Sequence, residues 1–223
     1  MITFGDQNYP IFTPELAPYA KILEEQRKVD EKFAKEGGLI VIDEAPFKRL
    51  VISPIGQANR DYDDIRTFSD AAVRGLTRTL KSGARQPLLM LPSGENIPTQ
   101  YRNYDLAILL ESLHFLYRPL ENRKSNNRST TVRNDTHAQG KVEAIGFTGF
   151  ASIKRADDIF HRAQAIECGR AVARDIGGSD PERMSAPMVA DYVEELFKGS
   201  AIMIKVIRDV KVIEKEFPCL GNM

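Results

Sequence analysis

Cysteine, net charge and long apolar runs are what this sequence has least of, and each shortage closes a class of function. The 223 residues hold two cysteines, Cys168 and Cys219, far apart and with no CxxC spacing or neighbouring histidine. That excludes a zinc knuckle and a disulfide framework, and both are read as reduced, partly buried thiols. Lys plus Arg equals Asp plus Glu at 31 each, so no net field draws the chain to nucleic acid or to a membrane surface. No apolar run approaches the roughly 18 residues that cross a bilayer. The start, MITFGDQNYPIFTPE, has no basic region ahead of an apolar one, so a cytoplasmic location is expected. Histidine is nearly absent too. His114 lies in an apolar stretch and His137 in a polar one, so neither stands in a relay with serine or cysteine, and nucleophilic catalysis has no support.

What is present is an ordinary globular balance, 42% apolar and 28% charged, with enough hydrocarbon for a core. The length suits one complete domain plus part of another. Tyr19, Ile22, Leu23, Val29 and Phe33 share one face of a helix that Gly37-Gly38 stops, and Pro18 sets its start. LIVID (39–43) and RLVIS (49–53) are β-branched strands joined by a turn at Ala45-Pro46. Asp63 and Asp64 open a helix carrying Ile65, Phe68, Ala72, Leu76 and Leu80, closed by Gly83. LLML (88–91) is a buried strand, and 101–118 is an apolar helix halted by Pro119. Residues 121–140, poor in hydrocarbon, are expected to form a mobile loop.

VEAIGFTGF (142–150) then reads as a strand. Residues 157–176 read as a helix with Ile159, Ala163, Ile166, Val172 and Ala173 inward, ended by Gly177-Gly178. A helix through Val189, Val193, Leu196 and Phe197, capped by Ser185 and stopped at Gly199, precedes a strand AIMIKVI (201–207) and a helix that Asp209 caps. The alternation implies an α/β fold: a largely parallel or mixed sheet with helices on its faces.

Each candidate for chemistry has a plainer reading. Asp61, Asp63 and Asp64 are too few for an oxygen cage of six or more ligands, and carboxylates at a helix start are stabilised by its dipole by about 0.3–1 kcal/mol. Asp157 and His161 have the spacing of two metal ligands but lack a third, so a surface pair worth a few tenths of a kcal/mol is expected. Gly146 and Gly149 would let amides approach a phosphate, but neither a P-loop lysine nor GxGxxG accompanies them. NRKSNNRSTTVR (122–133) has no interleaved aromatic residue and reads as a solvated loop rather than a nucleic-acid contact. No catalytic, cofactor-binding or metal-binding residue is assigned.

The most specific signal is ARDIGGSDPERMSAPMVADYVEEL (173–196). Ala173, Arg174, Asp175, Ile176, Ser179, Pro181, Met184, Ser185, Val189 and Ala190 resemble the segment through which leucyl aminopeptidases enter their catalytic domain. The helix, strand and Asp209 helix that follow are in the family's order. Residues 39–150 resemble that family's N-terminal domain in element order. Gly178 and Glu182 stand where asparagines are common, and Pro187 sits one position late, so the resemblance is to a divergent branch. It implies a macrodomain-like mixed sheet flanked by helices over 1–165, non-catalytic, then the truncated start of a second α/β domain over 166–223.

For a full-length relative the resemblance also implies two divalent metals, zinc or manganese, hydrolysis of peptide substrates from their N-terminus, and a homo-hexamer. The metal-binding stretches VGKG-x-x-x-DTGG and NTDAEGR are not in this chain, and Asp175-Ile176-Gly177-Gly178 lacks the lysine-bearing strand that would make it a ligand. This chain is therefore expected to be inactive and to hold no cofactor. Two other readings remain: a module binding an ADP-ribose-type ligand at 146–149, and an assembly factor for intact family members. If 166–223 is such a truncated start, Ile202, Ile204 and Val206 should lack strand neighbours, forfeiting about 1.5–3 kcal/mol for each large side chain left in water.

Overall fold

In the computed structural model the described residues are 3–4, 10–11, 14–43, 47–56, 60–92, 97–126 and 142–221. The strands are β1 (Thr3–Phe4), β2 (Pro10–Ile11), β3 (Gly38–Val41), β4 (Arg49–Ile52), β5 (Leu88–Met90) and β6 (Gly146–Thr148). The helices are α1 (Ala20–Val29), α2 (Phe33–Glu36), α3 (Arg66–Lys81), α4 (Tyr104–Leu116), α5 (Leu120–Asn126), α6 (Ile153–Gly177), α7 (Ala186–Leu196), α8 (Val210–Glu216) and α9 (Pro218–Gly221). The chain is α/β, as its alternation predicts. Its strands do not join one sheet among the described residues: β1–β2 and β3–β4 are antiparallel pairs, and β5–β6 is a parallel one. Strand pairing is a long-range choice that a local β-branched pattern does not encode.

Chain contacts divide the molecule into one unit of residues 1–118 and 122–171 and another of 119–121 and 172–223. In the first, Pro18 sits in a 3-10 turn, Pro14–Tyr19, and the α-helix begins beyond it at Ala20. Proline has no N–H to give an α-helical ladder, so its position sets that start. The expected continuous helix to Phe33 breaks instead at Asp30, whose carboxylate takes the Lys32 N–H at 2.9 Å and so competes with the helical ladder. Leu23 and Phe33 still reach the same core, with Ile40, Ile42 and Ile52, whereas Val29 is exposed. The turn expected at Ala45-Pro46 lies outside the described residues.

α3 starts where Asp64 Oδ1 accepts the Arg66 N–H at 2.8 Å, satisfying one of the donors that a helix start leaves open. Its inward face, Phe68, Ala72, Leu76 and Leu80, is buried as the spacing predicts. Phe68 packs against Tyr101 and Tyr104, with ring centroids 5.5 and 5.6 Å away. α4 is shorter than the expected 101–118 helix, because residues Thr99–Tyr101 form a separate 3-10 turn. Its Leu109 meets Ile159 and Ala163 of α6. The expected loop over 121–140 begins as α5, and residues 127–140 lie outside the described residues.

In β5–β6, Leu88, Leu89 and Met90 pair with Gly146, Phe147 and Thr148. The Leu91 N–H extends this ladder to Thr148 O at 2.8 Å. The strand expected over 142–150 is therefore only its middle. α6 begins earlier than expected, at Ile153, and Gly177 is its last residue. Of its expected inward residues Ile159 and Ala163 are buried, but Ile166 is 40% exposed and Ala173 is exposed. Cys168 on the same helix and Cys219 in α9 are free and exposed, not partly buried.

In the second unit α7 follows Ser185, whose backbone is extended but whose side chain makes no capping bond. Asp209 does cap α8, accepting the Lys211 N–H at 2.9 Å. The strand expected at 201–207 is not formed, because no other strand pairs with it among the described residues. From Val172 onward Asp175 is the one buried residue among those described.

Candidate functional site

In α/β folds the place to look is beyond the carboxyl ends of parallel strands, where helix starts gather. Here that end is marked by Leu91 and Pro92 after β5, Gly149–Ser152 after β6, and the first turns of α4 and α6. Asp105, in the first turn of α4, is 5% exposed. Arg155, in the first turn of α6, donates from Nε to its Oδ2 at 2.8 Å and from Nη2 to its Oδ1 at 2.9 Å. The Arg155 Nη2 also reaches Arg102 O at 3.2 Å, and the Ser152 hydroxyl accepts the Arg155 N–H at 3.1 Å.

Tyr104 beside them donates its hydroxyl to Pro92 O at 3.1 Å. Burial pushes its pKa up, and the neighbouring Asp105 charge adds to that, while Arg155 works the other way. The Asp105 hydrogen bonds raise the Arg155 pKa further, so the guanidinium stays charged. This arrangement clamps two helix starts together. It offers no base beside a nucleophile, because the carboxylate is spent on Arg155 and the phenol on a carbonyl.

The glycines singled out from the sequence belong to this end of the fold, but as packing. Gly149 has φ +89°, and a Cβ there would stand 2.9 Å from Leu91 O and 3.2 Å from Leu91 N. At Gly146 a Cβ would come 2.9 Å from Leu88 Cδ1. The room that each leaves is taken by the neighbouring strand, not held open for a phosphate.

The other sequence candidates are dispersed. Asp63 is gripped by Arg60, whose Nε lies 3.1 Å from both of its oxygens and whose Nη2 lies 2.8 Å from Oδ1. Arg60 also sits over the Tyr62 ring, 4.6 Å from its centroid. Asp64 pairs with Arg66, and the Arg66 side-chain and backbone hydrogen bonds hold its pKa below the usual carboxylate range. Asp157 and His161 are both exposed and do not pair; the ion pair of that turn is Asp158–Arg162, at 3.5 Å. One residue's offset around a helix moves the partner by 100°, so the nearest opposite charge is decided by side-chain reach. His114 faces Glu111 at 3.7 Å, and His137 lies outside the described residues.

In the second unit, Asp175 accepts the Tyr192 hydroxyl at 2.8 Å, and its backbone carbonyl accepts the Ser179 hydroxyl at 2.7 Å. The Asp180 N–H reaches Glu121 Oε1 at 3.1 Å. Arg208 bonds Asp191 at 2.6 Å and Glu194 at 3.2 Å, tying the segment before α8 to α7. Asp175 is the hub of a hydrogen-bonded turn.

No protein-family model matches the chain. It is 30% identical over 185 residues to a Caenorhabditis elegans protein provisionally named as an aminopeptidase, W07G4.4, and the match takes in 82% of this chain. An aminopeptidase-like relationship follows. The chain spans 33% of that relative's length.

Sequence reasoning missed the Asp105–Arg155 and Asp175–Tyr192 pairs. A signal for the first existed: Asp105 is a lone acid among Tyr104, Leu106, Ile108 and Leu109, and a charge inside so apolar a helix needs a partner. Further from the strand ends, β4, α3 and β5 border a half-open cavity of about 60 Å³ lined by Ser53, Ala71, Gly75, Thr79 and Leu89, with the Ser53 hydroxyl bonded to Ala71 O at 2.6 Å. It is large enough for water but not for a peptide. No helix among the described residues is long and apolar enough to cross a membrane.

Proposed function

We propose that this chain carries two parts of a divergent leucyl-aminopeptidase-like protein: residues 1–165 as a macrodomain-like, non-catalytic domain and residues 166–223 as the opening of the catalytic domain. The observation that carries this reading is the 30% identity over 185 residues with a protein named as an aminopeptidase, one third of whose length is matched. The end of α6 at Gly177, the Asp175-centred turn, and then α7 and the Asp209-capped α8 support it, although the strand that the resemblance implies between them is not formed. The activity proposed for the whole protein is metal-dependent release of N-terminal amino acids from peptides, in the cytoplasm.

Two catalytic cations would need several anionic groups free to point inward. The residues described here do not fit that demand. The buried carboxylates Asp63, Asp105 and Asp175 are engaged by Arg60, Arg155 and Tyr192, and among the described residues no three His, Cys, Asp or Glu gather as a metal site. Their proposed part is assembly of the protein or control of access to its site.

The test is an assay of the purified 223-residue chain on leucyl p-nitroanilide with manganese or zinc added, alongside calorimetric metal titration. The expected result is no turnover above buffer and no pair of tight sites. Chelator-sensitive turnover by this chain would overturn the proposal.

A further inference from the structure

We draw no further inference here: the strongest candidate, the half-buried apolar face that Leu106, Leu110 and Leu113 of α4 and Phe147 of β6 present around Ile159 of α6, carries none, because nothing in the structure shows what covers it.

Discussion

Arg155 and Asp105, fifty residues apart in the sequence, meet through two near-parallel hydrogen bonds of 2.8 and 2.9 Å. The Asp105 side chain is 7% exposed and that of Arg155 30%. The two ends of the pair therefore depend on it unequally. Arg155→Ala strands a carboxylate away from water and is expected to lower unfolding free energy by about 1–3 kcal/mol. Asp105→Ala leaves a partly hydrated guanidinium and should cost less. Urea denaturation of both variants measures the order, and an equal or reversed order would show that Arg155 does not carry the Asp105 charge.

Gly149 and Gly56 both have positive φ, +89° and +80°, but only Gly149 has backbone where a Cβ would go. Gly56→Ala should cost the conformational term alone, about 1 kcal/mol. Gly149→Ala adds a collision with Leu91 and should cost at least twice as much. Thermal melts of the two variants read the difference directly.

Tyr192→Phe removes a hydroxyl from the buried Asp175 carboxylate. The expected cost is about 1 kcal/mol, confined to the second unit. Amide exchange should quicken in α7 and leave α3 and α4 unchanged; uniform quickening would mean that the bond supports the whole chain.

The Asp64 carboxyl is held below its ordinary pKa, first by the Arg66 side chain and then by the Arg66 N–H. Because the folded value is the lower one, the stabilisation is complete above the ordinary carboxylate pKa and is lost as pH falls through the depressed value. Arg66→Ala should move the Asp64 midpoint, followed by NMR, back towards the ordinary range, and added salt should do so partially. Identical midpoints in variant and wild type would remove Arg66 as the cause.

Local elements were legible wherever a repeat of three and four coincided with a breaker or cap. α3 shows this best: Phe68, Ala72, Leu76 and Leu80 are inward, Asp64 accepts the N–H of its first residue, Arg66, and Gly83 follows the end. α8 was legible from Asp209 alone. The same logic failed on α1, where a carboxylate at Asp30 outbid the helical ladder, and along the second half of α6, where Ile166 and Ala173 have the right spacing but are exposed. Spacing says which side chains share a face; whether that face is covered depends on another element.

The sequence by itself determined the α/β character of this protein, the inward face of α3 and the Asp209 cap of α8, because each depends on residues a few positions apart. Tertiary structure alone decided which strands pair, why 201–207 is left without a ladder, and where Asp105 and Asp175 find partners. Those outcomes rest on contacts between residues far apart in the chain, whose gain must exceed the entropy of closing long loops, and no local pattern records that balance.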